Sequence, residues 1–203
     1  PDLPETFRFD PSGDTVVETK LRAALGKLID LRDELNQIDG KVGDADAGDT
    51  LSTAAQLVLD NMSKLPLASP SDLCLTIGDL LARSGGGSSG VVLSILFTAS
   101  GRQFAADPSS TWKAALRAGT DAVTTYGGAR RGDRTLLDAL IPAIDHLPEG
   151  LTAAAAAAEK GAEETKKMGK AGAGRAAYIS DLEGVIDPGA YAVAQVFLAV
   201  SKP

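Results

Sequence analysis

The sequence predicts an all-α protein, and three observations lead there. Its 203 residues include 33 Ala and 25 Leu, whereas Trp, Tyr and Phe together number nine, a balance that favours packed helices over the aromatic and β-branched strands of a sandwich. Apolar residues recur at steps of three or four along several segments, and no clean alternation marks a strand. Gly- and Pro-rich stretches punctuate these segments, and no repeat of about 20 to 50 residues indicates a solenoid.

From about Thr15 to Gln37, Val17, Leu21, Leu25, Leu28, Leu31 and Leu35 form one stripe of an amphipathic helix. It stops at residues 39–50, DGKVGDADAGDT, where Gly40, Gly43 and Gly48 interrupt regular structure, and LSTAAQLVLDNMSKL resumes helical spacing. The next helix is expected from about Ser71, an N-cap candidate after Pro70, through Leu81 and Ala82. The run SGGGSSG at 84–90 separates it from an apolar helix over Val91 to Phe104. Ser109 and Ser110 are cap candidates for TWKAALRAGTDAVTTYG; the loop GGARRGD follows, then a helix from Thr135 to about His146, ended by Pro148 and Gly150. Segment 151–169 contains six consecutive alanines and reads as helix rather than linker, because alanine is the strongest helix former. Asp187 is the expected N-cap of a last apolar helix with Pro188 at its first position. The tally is about eight helices. Residues 1–14 hold three prolines and little periodicity, so they are expected to be an extended leader or linker to a domain at 15–203. A start at Pro1 rather than Met suggests a processed chain or a fragment.

Charge and composition exclude several functions. With 20 basic and 27 acidic residues the net charge is -7, so the molecular field repels polyphosphate backbones and no nucleic-acid partner is expected. Cys74 stands alone, which excludes an internal disulfide or a multi-cysteine metal site and fits a reducing, cytoplasmic setting. VVLSILFTA at 91–99 is about half the length of a membrane span, and the N-terminus lacks the pattern of a signal peptide, so no membrane association is expected.

The interhelical loops hold the chemistry. Asp39, Asp44 and Asp46, with Asp49 close by, crowd carboxylates that repel unless a cation or a set of donors neutralises them. A divalent metal is one reading and a solvated acidic turn capping the next helix is the other. An EF-hand fails, because counting from Asp44 puts Ala55 at position twelve and Asp49 at position six. Oxygen ligands without His or Cys point to Mg2+. The run Gly85–Gly90 opens into a helix and suits a phosphate through main-chain amides and serine hydroxyls; a flexible linker is the alternative. Arg130, Arg131 and Arg134, and Arg175 after Gly172-Ala173-Gly174, either clamp phosphate oxygens or merely balance local charge. Asp187-Pro188-Gly189 is by default a helix-start turn.

Taken together, IDGKVGDADAGDT, GGSSG at 86–90, RGDRTLLDAL at 131–140, AGAGRAAYIS at 171–180 and DPGA at 187–190 resemble the signature blocks of the nucleotide-binding domain of dihydroxyacetone kinases. The resemblance runs from about residue 15 to residue 200. It implies an antiparallel eight-helix barrel with a nucleotide, ATP or ADP, in the loops at one end. It implies that Asp39, Asp44 and Asp46 hold two Mg2+ ions. Gly48, Asp49 and Thr50, with Gly86, Gly87, Ser88 and Ser89, would surround the phosphates, and Gly127, Leu136, Arg175, Asp187 and Gly189 would line the rest of the site. The family's ketose is captured by a histidine on a separate substrate-binding domain or subunit. His146, the one histidine here, lies outside every matching block and is expected at a surface helix end, so no catalytic residue is assigned. The chain alone is expected to bind nucleotide but not to phosphorylate a triose or tetrulose.

The phosphocarrier-dependent branch of the family typically reads DHGxNM in the metal loop. Here Asp46-Ala47-Gly48-Asp49-Thr50-Leu51 stands instead, nearer the ATP-dependent branch. The expected partner is therefore a ketose-binding domain or subunit, with a homodimer or a phosphocarrier protein as further possibilities. Competing readings are an ADP-carrying phosphotransferase subunit, the ATP-binding domain of a fatty acid kinase, and a nucleotide-dependent regulatory module.

Overall fold

In the computed structural model the described residues are 7–85, 87–178 and 182–203, and among them nine α-helices and no strand occur. These are α1 (Thr15–Asp30), α2 (Arg32–Asp39), α3 (Ala47–Asp60), α4 (Pro70–Arg83), α5 (Gly87–Ala106), α6 (Trp112–Gly127), α7 (Leu137–His146), α8 (Leu151–Glu164) and α9 (Pro188–Ser201). Neighbours pack side by side: α4 on α5, α5 on α6, α7 on α8 and α8 on α9, with α9 returning to α1 and α1 packing on α3.

The all-α expectation holds, with shifts that have local causes. The long first helix is two, because Leu31 interrupts it, and Leu31 and Leu35 then turn onto Ala192 of α9 while Leu25 joins the core of α3 and α4. Ser69, not Ser71, caps α4: its side chain accepts from the Asp72 amide, and Pro70 takes the first helical position where no amide donor is needed. Thr111, not Ser109 or Ser110, caps α6 by accepting from the Ala114 amide. Helix α3 begins at Ala47 and α5 at Gly87, so both reach into the loops that the glycines were expected to keep irregular.

One core cluster joins Leu25, Val58, Leu65, Leu73, Ile77 and Leu81 from the N-terminal half. Each such buried side chain contributes about 1.5–3 kcal/mol relative to exposure. The C-terminal half is built differently. Ala139, Ala143, Ala154, Ala158, Ala162, Ala190 and Ala194 are buried together, so the alanine-rich segment is a core helix whose small side chains let α7, α8 and α9 approach closely. Pro142 inside α7 offers no amide to the Asp138 carbonyl, and Gly161 of α8 sits directly against that carbonyl, where a Cβ would collide. At the N-terminus, residues 7–14 lie on the domain: Ser12 pairs with Pro66, its amide donating to the Leu65 carbonyl, and Phe7 packs on the first core.

Candidate functional site

The acidic loop between α2 and α3 folds back on itself. Asp39 ends α2 and is nearly buried; one carboxylate oxygen accepts from the Asp46 amide at 3.0 Å and the Ala47 amide at 3.3 Å. Ala45 adopts a left-handed φ of 63°, a strained conformation for a residue with a Cβ. The loop thereby brings ligand-capable oxygens of Asp39, Asp44 and Asp46 within 4.8 Å of one another. Such hard oxygens at that spacing fit Mg2+, which takes few protein ligands and completes its shell from water and phosphate. Asp46 occupies the N-cap position of α3 without capping it by its side chain. That task falls to Asn36, whose Oδ1 accepts from the amides of Gly48 at 2.7 Å and Asp49 at 3.1 Å.

Gly48 is the contact point of α2 and α3, and a Cβ there would run into the Arg32 carbonyl and come 2.7 Å from Asn36 Oδ1. Asp49 and Thr50 complete the first turn of α3. The Asp49 carboxylate accepts from Arg32 Nε at 2.6 Å, and this bond holds it below the usual carboxylate range. Expected as part of a phosphate shell, Asp49 thus carries its own counter-charge. Beside it a cleft of about 260 Å³ is lined by Asp46, Asp49, Thr50, Thr53, Ala54, Ser84 and Gly85, so the metal loop and the serine-glycine segment share one depression. Gly87, Ser88 and Ser89 form the first turn of α5, with Gly87 and Ser88 exposed; Gly86 lies outside the described residues.

The remaining expected residues lie on two further segments and at the end of α6. Loop 130–136 is pinned by Asp138, buried, which accepts from Gly132 N at 2.6 Å and Thr135 N at 2.8 Å. The Gly172 amide donates to the Asp133 carbonyl at 2.9 Å, tying the α8–α9 connection to this loop. Asp187 caps α9 through the Ala190 amide at 2.8 Å, and its own amide donates to Thr165 Oγ1 at 2.9 Å. Gly189 faces Leu136: a Cβ at Gly189 would stand 3.2 Å from Leu136 Cβ. Leu136, Asp187 and Gly189 are therefore neighbours. Gly127 is the exposed last residue of α6 before Gly128, whose φ of 75° ends the helix, and a Cβ at Gly127 would meet nothing within 4 Å. Arg175 opens a short 3-10 turn. Helices α2 and α9 are in contact, with Tyr191 Oη donating to Glu34 at 2.8 Å.

His146 ends α7, exposed and bonded to Glu149 at 3.0 Å, at the opposite end of that helix from loop 130–136. Asn36 and Asp138 are the residues that sequence reasoning missed. The Thr135-x-x-Asp138 spacing of a capping box was a usable signal for Asp138; Asn36 acts across two helices and left none.

Residues 41–202 match the family model described as the DAK2 domain. The chain is 42% identical over 201 residues to the dihydroxyacetone kinase of Citrobacter freundii, covering 96% of this chain and 36% of that protein. It is 40% identical over 187 residues to the triokinase/FMN cyclase of Mus musculus, covering 85% and 32%. The crystal structure of the dihydroxyacetone kinase from C. freundii in complex with AMP-PNP and Mg2+ matches with a TM-score of 0.83 at 37% identity, covering 98% of this chain and 36% of that one. The chain thus spans about a third of the length of the curated relatives it matches. Because the match runs from within the acidic loop to the last helix, the chain belongs to the DAK2 domain family and is homologous to part of the dihydroxyacetone kinases.

Proposed function

We propose that residues 15–203 are the nucleotide-binding domain of a ketose kinase, with 1–14 as a leader. In this reading the helices form an eight-helix barrel unit, and ATP lies at the end that carries the acidic loop and the cleft beside it. Asp39, Asp44 and Asp46 hold Mg2+, with two ions as the working number. The ions would supply charge neutralisation on the phosphates and a template for in-line transfer. The first-turn amides of α3 and α5, with Thr50, Gly86, Gly87, Ser88 and Ser89, bind phosphate oxygens. Gly48 lets α2 and α3 approach, Asp49 is held by Arg32, and Gly127, Leu136, Arg175, Asp187 and Gly189 line the remainder. A ketose-binding domain or subunit presents a triose or tetrulose, and the chain alone turns over no ketose.

The observation that carries this reading is the three-carboxylate cluster beside the cleft that joins it to the α5 end. The C. freundii kinase complex with AMP-PNP and Mg2+, of the same fold, supports it. The test is calorimetric titration of ATP with and without Mg2+ into the wild-type chain and the Asp44→Asn, Asp46→Asn double variant. Binding that requires Mg2+ and is lost in the double variant is expected. Metal-dependent binding that survives the double substitution would overturn the assigned metal site.

A further inference from the structure

Arg134 fits neither sequence expectation. It is neither an exposed charge nor a phosphate clamp on the surface, because its side chain is fully buried, with a relative exposure of 0%. Its backbone adopts a left-handed φ of 60° in the loop that Asp138 pins. From there Nη2 donates to the Val185 carbonyl at 2.7 Å, bridging 51 residues of sequence. Nη1 faces Asp187 Oδ1 at 3.8 Å, an ion-pair distance beyond hydrogen-bond reach. Among the described residues, Nε and Nη1 have no hydrogen-bond partner. A buried guanidinium with two unmade bonds is costly, so its retention here needs an explanation beyond stability. What it holds is the entry to α9, where Asp187 and the first-turn Gly189 stand against Leu136.

We infer that Arg134 is a positioning residue for nucleotide binding. It clamps residues 185–189 to the 130–138 loop, so that Leu136 and Gly189 stay together as one wall of the site, without touching the nucleotide itself. The inference rests on the nucleotide reading above and adds to it a residue from outside the proposed shell. A misplacement of such a wall by about 1 Å costs binding and rate out of proportion to the size of the displacement.

The test titrates Mg·ATP into the 203-residue chain carrying Arg134→Met or Arg134→Lys, alongside thermal melts. Arg134→Met is expected to weaken affinity about ten-fold or more, measured well below its melting temperature, which also falls because the substitution leaves the buried Asp187 carboxylate without its cation and the Val185 carbonyl without its donor. Arg134→Lys keeps a donor and a charge near Val185 and Asp187 on a shorter stem and is expected to recover part of the affinity lost in Arg134→Met. Wild-type affinity in Arg134→Met overturns the inference. So does an equal loss in both variants accompanied by equal destabilisation, the mark of a merely structural arginine. Should Arg134→Met fail to fold, hydrogen exchange of the wild-type chain decides. The amides of residues 185, 187 and 189–190 must gain protection on saturation with Mg·ATP, and unchanged exchange overturns the clamp. Failure of the wild-type chain to bind Mg·ATP overturns both readings, whereas wild-type binding with indifferent variants sinks the clamp alone.

Discussion

Substituting Asn36 by Ala tests how the acidic loop is held. Helix α3 starts at Ala47, and the side chain of Asp46 at the cap position makes no capping bond, so the first amides of α3 depend on a residue of another helix. Asn36 Oδ1 supplies both bonds, to Gly48 N at 2.7 Å and Asp49 N at 3.1 Å. Gly48 is buried, so its amide is left without a partner in Asn36→Ala, whereas the exposed Asp49 amide regains water. Losing a cap of this kind costs about 1–2 kcal/mol, most of it at Gly48. For a chain of this size that lowers the melting temperature by about 2–8 °C. Urea unfolding followed by circular dichroism measures it directly. Asn36→Asp is the control: its carboxylate accepts the same two amides but stands beside Asp49, whose carboxyl the Asn36 side chain helps to hold below its usual range, so its midpoint should lie between those of Asn36→Ala and wild type. A wild-type midpoint in Asn36→Ala, or an Asn36→Asp midpoint as low as that of Asn36→Ala, would refute the reasoning.

Three further outcomes follow from the same geometry. Gly48→Ala pushes a Cβ into the Arg32 carbonyl, which is backbone and cannot swing aside, so the unfolding free energy from urea titration should drop by about 1–3 kcal/mol; a neutral result would mean that α2 and α3 separate freely. Burial pushes the Asp187 carboxyl up to about 6 from 3.8 despite the nearby Arg134 cation. Since the folded-state value is the higher one, the stabilisation this group brings is complete below about pH 3.8 and is lost as pH rises through about 6, a swing of about 3 kcal/mol. Urea midpoints between pH 4 and 7 should therefore fall further for wild type than for Asp187→Asn, and parallel pH profiles would contradict this. Cys74 is buried on α4 with its thiol pushed up to about 12, so an aromatic disulfide reagent at pH 8 should label it only after denaturant is added. Rapid labelling of the native chain would show that α4 opens.

Helix content was legible because it rests on local chemistry. The alanine-rich stretch after Gly150, the Pro188 start behind Asp187 and the leucine stripe before the acidic loop each announce a helix without reference to any neighbour. Boundaries were less legible where two cap candidates stood within two residues: Ser69 wins over Ser71 because Pro70 fills the first turn, and Thr111 wins over both serines before it. The crowding of Asp39, Asp44 and Asp46 into eight positions was also plain in the sequence, but their convergence depended on Ala45 entering the left-handed region and on Asp39 receiving two loop amides.

By itself, then, the sequence determined the helices, the absence of a disulfide framework and the acidic loop, since each of these follows from residues within a turn or two of one another. Tertiary structure alone decided that Asn36 caps α3, that Asp49 is matched by Arg32, that Gly48 and Gly161 are helix contact points, and that Arg134 is buried against Val185 and Asp187. Those assignments join groups on different elements, and which elements become neighbours is set by the packing of whole helices.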